Sequence, residues 1–184
     1  MALVAGAALA AALGDPLPSS PSPVEVVRPE RPERPRPNPL GEAGGALPDG
    51  TSVFDDTLPG VANLDPELLD ALRRAAADAG IEVVVNSGWR SPAYQQHLFD
   101  EAVAEHGSEE EAARWAAPPT SSAHVSGDAV DVGPAAATDW LAQHGAAYGL
   151  CQIYANEPWH YELRPGGCPE MYADATQDPR MFRR

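Results

Sequence analysis

The prolines of the first fifty residues limit where this chain can build a core. From Pro16 to Pro39 a proline recurs every two to six residues, and between residues 24 and 38 the prolines alternate with Arg and Glu. This composition favours an extended, solvated spacer of roughly 3 Å per residue. We therefore predict a linker over residues 15–50, one folded domain over residues 51–172 and a polar tail over residues 173–184.

Residues 2–13 form an apolar run that precedes the proline-rich stretch. The run is too short to span a bilayer and matches the core of a signal peptide. No basic residue precedes it, so three interpretations stay open: a signal peptide with a truncated start, a retained anchor over residues 1–14, and an Ala-rich disordered tail. Export would bring the domain to the cell envelope or the medium. There the two cysteines, Cys151 and Cys168, can pair.

The charge balance excludes one broad class of partner. Twelve basic residues, all of them Arg, stand against twenty-seven acidic residues, which gives a net charge of -15. Nucleic-acid binding requires a basic face that neutralises phosphates. We therefore expect no nucleic-acid partner. Separately, we predict that the protein is a monomer.

Helix and strand patterns alternate after residue 51. Asp65 and Pro66 are typical of a helix start, and Gly80 of a helix end. The strands are few, short and separated by helices, which indicates an α+β fold, a small sheet with helices packed to one side. The other elements are predicted as helices over residues 91–107, 108–115 and 138–148, a loop over residues 117–127, and strands over residues 81–85, 129–132, 150–154 and 159–163.

The five histidines fall into two groups. His97, His106 and His144 lie in helical patterns without a suitable partner ligand, which indicates surface or capping roles. His124 and His160 each lie close in sequence to a carboxylate, at a loop or a strand edge. These two are the candidates for chemistry.

The residues around His124 can converge on one cation. Gly127 allows a tight bend after the histidine, and Asp131 lies between two valines of a predicted strand, so its side chain points away from theirs. Near His160, Pro158 interrupts a strand that would otherwise place Glu157 on the opposite face.

Two imidazoles and one carboxylate form a typical catalytic zinc set, with the fourth position left for water. Glu157 would then be a second carboxylate that accepts a proton from that water. The residues alone leave a second interpretation open, two ordinary hydrogen-bonded His–Asp pairs. Other divalent ions also suit such a set.

Three motifs together resemble the zinc D-alanyl-D-alanine carboxypeptidase family, which includes the vancomycin-resistance D,D-peptidases. They are SGWRS at residues 87–91, SxHxxGxAxD at residues 122–131 and ExWH at residues 157–160. The resemblance covers about residues 86–163 and implies the small antiparallel sheet of the Hedgehog/DD-peptidase fold. It also implies His124, Asp131 and His160 as zinc ligands and Glu157 as the general base.

The resemblance assigns further roles around the pocket. Arg90 matches the family's arginine, which stabilises the developing oxyanion or holds the substrate; its alternative role is a salt bridge to a nearby acid. Ser122 and Gln95 match positions that contact the substrate peptide, and Trp159 is predicted as a further substrate contact. Trp89 departs from the tyrosine that is usual in the family, a change that would reshape the pocket.

The resemblance implies an exported zinc metallopeptidase that removes the terminal D-alanine from peptidoglycan stem peptides ending in D-Ala-D-Ala. A different peptidase on the same scaffold stays possible, either an L-Ala-D-Glu endopeptidase or a D,D-dipeptidase. A non-enzymatic wall-binding module with a structural zinc is a further possibility. Glu157 argues against that module, because a structural site needs no added base and is closed by a fourth protein ligand.

Overall fold

A four-stranded antiparallel sheet organises residues 38–182, the part of the chain that the computed structural model describes. The predicted signal peptide or anchor and the linker up to residue 37 lie outside the described residues, as do residues 183 and 184. The strands are arranged in the order β1-β2-β4-β3. Their bounds are β1 Val84–Ser87, β2 Ala129–Gly133, β3 Leu150–Gln152 and β4 His160–Leu163.

Six α-helices and four 3-10 turns accompany this sheet within the described residues. None of these helices has both the length and the apolar character needed to cross a bilayer. The 3-10 turns are Glu42–Gly44, Gly145–Tyr148, Ala175–Gln177 and Pro179–Phe182. The helices are α1 Pro59–Ala62, α2 Pro66–Ala79, α3 Pro92–His106, α4 Glu109–Ala112, α5 Ala123–Ser126 and α6 Ala135–His144.

The two long helices begin and end where their capping residues predict. The Asp65 carboxylate accepts hydrogen bonds from the first two free backbone N–H groups of α2, at 2.9 and 3.1 Å. The Ser91 hydroxyl accepts one from the Tyr94 N–H of α3 at 3.1 Å. Both helices end at a glycine in the left-handed region, Gly80 with φ 64° and Gly107 with φ 84°. Local capping chemistry therefore fixes these boundaries.

One face of the sheet forms the hydrophobic core. Val130 of β2 and Tyr161 of β4 are fully buried there with Leu68 and Leu72 of α2 and with Leu141 of α6. Helices thus pack on this face, as the predicted α+β fold requires. Because side chains alternate along a strand, the residues next to Val130 and Tyr161 point to the other face.

The shorter elements differ from their predicted bounds. The first strand starts at Val84, and its register with β2 shifts between Val85 and Ser87. The predicted loop over residues 117–127 contains the single turn α5, which is too short to give a periodic pattern. The helix predicted at residues 138–148 is α6, which starts at Ala135, followed by a 3-10 turn.

The predicted end of the linker at residue 50 is wrong, because the fold already includes residues before it. Gly44 is buried, and its carbonyl accepts a hydrogen bond from the Ser91 N–H at 2.8 Å. Leu47 packs against the hydrophobic core. This short stretch has little apolar character, so its docking through backbone contacts is not visible in composition.

The prediction that residues 173–184 form a polar tail is also wrong for its described part. Ala175 and the carboxylates of Asp174 and Asp178 are buried. Asp174 accepts a hydrogen bond from Arg114 Nε at 3.0 Å, and Asp178 accepts one from the Tyr154 hydroxyl at 3.1 Å. Acidic residues look solvated in a sequence, yet these two are buried because they pair with partly exposed arginines and with Tyr154.

The predicted disulfide between Cys151 and Cys168 is confirmed, with Cα atoms 5.2 Å apart. It joins β3 to the segment that leads to the C-terminal residues. Cys151 is buried beside Ile153 and Tyr154, so the bridge is part of a small second core.

We expect the Cys151→Ser/Cys168→Ser double variant to lose about 3 kcal/mol of unfolding free energy. A crosslink between residues 17 positions apart restricts the unfolded chain by about that amount. Urea denaturation of the wild type and the variant, each with and without reductant, measures the loss. The variant serves as the control, because reductant must leave it unchanged. Equal midpoints for the oxidised wild type and the variant would contradict the prediction.

Candidate metal centre and active site

His124, Asp131 and His160 meet in one buried cluster. One side-chain ligand atom from each residue lies within 4.8 Å of the other two. Asp131 on β2 is the direct cross-strand partner of His160 on β4, and His124 reaches them from α5. The structure therefore brings together the three residues that the sequence selected as metal ligands.

Two nitrogens face the same carboxylate oxygen in this cluster. His124 Nε2 lies 3.4 Å and His160 Nδ1 lies 3.3 Å from Asp131 Oδ1. Both contacts are longer than ordinary N–H···O hydrogen bonds. Asp131 Oδ1 and His160 Nδ1 are buried without a hydrogen-bond partner, and buried unpaired polar atoms require a ligand or another explanation. Convergence on one oxygen disfavours two separate His–Asp pairs and fits a bound cation.

The other nitrogen of each imidazole has a protein partner. His124 Nδ1 lies 2.8 Å from the carbonyl oxygen of Gly88, and His160 Nε2 lies 3.2 Å from Glu162 Oε1. A proton on each of these nitrogens leaves the lone pair of the opposite nitrogen directed at the centre of the cluster. Such contacts fix both the tautomer and the ring orientation of metal-binding histidines.

Arg90 connects the cluster to its surroundings. Its guanidinium donates to Asp131 Oδ2 at 2.7 Å, to Ser87 Oγ at 2.7 Å and to Gln95 Oε1 at 3.1 Å. Burial by itself raises the pKa of Asp131, but the nearby imidazoles and the Arg90 charge outweigh it and hold that pKa well below the usual value. The salt bridge that the sequence offers as the alternative role of Arg90 is therefore present, and its partner is the predicted ligand Asp131.

Glu157 lies beside the cluster without belonging to it. Its Oε2 is 3.7 Å from His160 Nδ1, and its side chain is only 12% exposed. The His160 N–H donates to the Glu157 carbonyl at 3.0 Å, so a turn through Pro158 brings the two side chains to the same side. Burial raises the pKa of Glu157 to about 7, a value suited to a group that exchanges protons near neutrality.

The cluster opens into a cavity of about 170 Å³. Of the residues predicted to bind substrate, Ser122 lines the cavity, Gln95 is buried at its wall, and Trp159 is 41% exposed at the rim. Gln95 also donates to the Ala117 carbonyl at 2.7 Å, so it holds Arg90 and the wall loop together. Trp89 does not line this cavity.

The three remaining histidines lie outside the cluster. His97 is near Glu101 at 3.5 Å on the surface of α3. His106 stacks against Trp115, with ring centroids 5.7 Å apart. His144 contacts the Trp140 carbonyl at 2.9 Å near the end of α6. These positions agree with the surface and capping roles that their helical patterns indicate.

Sequence reasoning missed two residues that contact His160. The Tyr154 ring packs against the imidazole with centroids 5.0 Å apart, and the Glu162 carboxylate contacts Nε2 from a fully buried position. Glu162 could have been found, because it lies two residues after His160 on β4 and strand residues two apart share a face. Tyr154 carries no such signal, because the turns over residues 155–159 separate it from His160.

Comparison with known proteins identifies relatives of this site. The family profile of the VanY D-alanyl-D-alanine carboxypeptidases matches residues 63–165. A D-alanyl-D-alanine carboxypeptidase of Enterococcus faecalis is 32% identical over 123 aligned residues, which cover 53% of this chain and 46% of that protein. The chain thus spans about half the length of this curated relative.

Solved structures show the same likeness. VanYB in complex with D-Ala-D-Ala is 28% identical, with a TM-score of 0.50 over 54% of this chain and 71% of the other. The L,D-carboxypeptidase LdcB is 25% identical, with a TM-score of 0.52 over 66% of this chain and 68% of the other. The matched profile covers more than half of the chain and contains every residue of the cluster, and so this chain belongs to the VanY D-alanyl-D-alanine carboxypeptidase family.

Proposed function

We propose that this protein is a zinc-dependent D-alanyl-D-alanine carboxypeptidase that removes the terminal D-alanine from peptidoglycan stem peptides. One observation carries the proposal: three ligand atoms converge in a cavity that also holds a non-ligand carboxylate and a guanidinium. Membership of the VanY family supports the choice of reaction.

The ligands in this proposal are His124 Nε2, Asp131 Oδ1 and His160 Nδ1. Two imidazoles and one carboxylate suit zinc, and three protein ligands are typical of a catalytic rather than a structural site. The two unpaired buried atoms of the cluster fit the same interpretation. When bound, zinc would supply a Lewis acid that activates water and polarises a peptide carbonyl.

Glu157 moves the proton in the proposed reaction. Its carboxylate takes a proton from the attacking water and delivers it to the amine of the departing D-alanine. A single carboxylate can do both, because it faces the cavity beside the ligand cluster and is largely shielded from solvent. The proton is therefore returned to the product and not lost to bulk water.

Arg90 stabilises negative charge at the reacting carbonyl. Three of its five N–H groups are donated to Asp131, Ser87 and Gln95, which leaves two for the substrate. The guanidinium is held by partners on three sides, so it needs little reorganisation as charge develops. In the same proposal Ser122 and Trp159 contact the peptide at the cavity wall and rim.

The proposed place of action is the cell envelope. A disulfide is typical of proteins that fold outside the reducing cytoplasm, and peptidoglycan lies there too. The signal peptide or membrane tether over residues 1–14 remains a prediction. The monomeric state is also a prediction.

We expect the wild type to bind one zinc ion per chain and the His124→Ala variant to lose stoichiometric binding. The variant removes one of three ligand atoms without touching the hydrophobic core. Metal analysis after dialysis, together with competition against a chromophoric chelator, measures the difference. His97→Ala removes a surface imidazole and should bind like the wild type. Equal zinc contents in the His124 and His97 variants would refute the ligand assignment.

Glu157→Gln should keep zinc but lose turnover by about 10²- to 10⁴-fold, the usual contribution of a positioned proton-transfer group. The amide has the shape of the carboxylate but cannot accept the proton from water. Steady-state D-alanine release and metal content are measured on the same preparation. Glu101→Gln, which changes an exposed acid of α3, is the matched control. Full D-alanine release by the Glu157 variant would rule out the base assignment.

The substrate is tested with three synthetic peptides: a stem pentapeptide ending in D-Ala-D-Ala, the corresponding tetrapeptide and free D-Ala-D-Ala. We expect D-alanine from the pentapeptide, loss of release with a chelator and recovery on zinc addition. Fragments are identified by mass spectrometry.

A cleavage pattern other than D-alanine release from the pentapeptide would assign a different activity. Preferred cleavage of the tetrapeptide would indicate an L,D-carboxypeptidase, the activity named for LdcB. Preferred hydrolysis of free D-Ala-D-Ala would indicate a D,D-dipeptidase, and a cut between L-Ala and D-Glu would indicate an endopeptidase. Binding to wall sacculi without any fragment release would indicate a non-enzymatic wall-binding module.

A further inference from the structure

We propose that Glu162 and Arg180 are positioning residues of the metal centre, and that the C-terminal segment, residues 174–180, is therefore a working part of the site. This inference rests on the proposed metal-binding role of His160. Both residues lie after the ExWH motif at residues 157–160, the last of the three motifs that resemble the family.

Glu162 is placed to orient the imidazole of His160. It is fully buried, and its Oε1 lies 3.2 Å from His160 Nε2. A carboxylate accepts hydrogen bonds but donates none, so this contact places the imidazole proton on Nε2. The lone pair then lies on Nδ1, the atom that faces Asp131 Oδ1 at 3.3 Å. Carboxylates in this position keep a histidine ready for metal binding.

A buried carboxylate needs compensating donors, since an unpaired charge is costly in the interior. Arg180 supplies them as a fork, with Nη1 at 2.6 Å from Glu162 Oε2 and Nη2 at 3.1 Å from Oε1. Arg164 also pairs with Glu162. The planar guanidinium fixes the carboxylate in one orientation, which a single ammonium would not do.

The contacts of Arg180 close a ring that returns to His160. Asp178 accepts hydrogen bonds from Arg180 Nε at 2.8 and 3.0 Å and another from the Tyr154 hydroxyl at 3.1 Å. The Tyr154 ring packs against His160. His160 is thus held at its edge by Glu162 and at its ring by Tyr154, and Arg180 with Asp178 connects these two supports.

The C-terminal segment also forms part of the cavity. Ala175 lines the wall of the cavity that holds the ligand cluster. Asp174 anchors the segment to the rest of the fold through Arg114 Nε at 3.0 Å. The segment therefore contacts the site at two points, at its wall through Ala175 and behind His160 through Arg180.

A purely structural ion-pair network would contribute to stability and leave the metal affinity unchanged. The distinguishing variant is the Glu162→Leu/Arg180→Leu double variant, which removes both charges of this pair at once; Asp178 keeps its hydrogen bond from the Tyr154 hydroxyl. We expect its zinc Kd to rise by about 10- to 100-fold. Glu162→Gln should lose less affinity than the double variant, because the amide oxygen still accepts the proton of Nε2.

The zinc Kd is measured by competition with a chromophoric chelator, and circular dichroism verifies folding. Arg74→Leu is the matched control, because Arg74 pairs with Asp70 on the exposed face of α2; we expect its Kd to stay within about twofold of the wild type. If the double variant does not fold, Arg180→Gln decides the question. We expect its Kd to rise by at least about threefold, since Arg164 alone then holds Glu162.

A spectroscopic readout separates positioning from stability. In the zinc-loaded protein, ¹⁵N-edited NMR should detect a protected Nε2–H proton of His160 in the wild type and in Glu162→Gln. The same proton should exchange rapidly with solvent in the folded double variant. An unchanged Kd together with a protected proton in the double variant would overturn this inference alone. Failure of the wild type to bind zinc would overturn both this inference and the proposed function.

Discussion

The buried carboxylate of Asp131 is the interaction on which the site depends. One of its oxygens is satisfied by Arg90, and the other faces His124 and His160 without a hydrogen bond. An isolated buried charge would be unfavourable, so its neighbours must be fixed in place. The Gly88 carbonyl orients one imidazole and a carboxylate orients the other. The rigidity of the cluster therefore originates in atoms that do not belong to it.

The same strands supply both the core and the site. Antiparallel pairing places Asp131 opposite His160, while the residues beside them, Val130 and Tyr161, are packed in the core. A slip of one residue in this register would exchange the two faces and bury a carboxylate among aliphatic side chains. Core packing thus enforces the register, and the register brings two ligands from distant parts of the chain within contact.

Much of this arrangement could be predicted from the sequence, but only where the determinant is local. Capping residues fixed the bounds of α2 and α3, and the motif spacings selected the ligand cluster and Glu157. The docking of residues 38–50 was not predictable, because Gly44 binds through its backbone. The role of Glu162 and Arg180 was missed for a related reason: the burial of Glu162 depends on its pairing with Arg180, 18 residues further along the chain, and each residue looks solvated by itself.

The basic residues of this chain explain how so acidic a protein keeps a structured site. All twelve are arginines, against twenty-seven acids. Arg90, Arg114 and Arg180 each pair with a buried carboxylate at the site or in its supporting segment. Arg90 alone donates to three different side chains, which the single compact charge of a lysine could not do with the same fixed geometry. A planar guanidinium thus neutralises a buried carboxylate and fixes its orientation at the same time. A few arginines are therefore enough to hold the side chains of the metal centre in place.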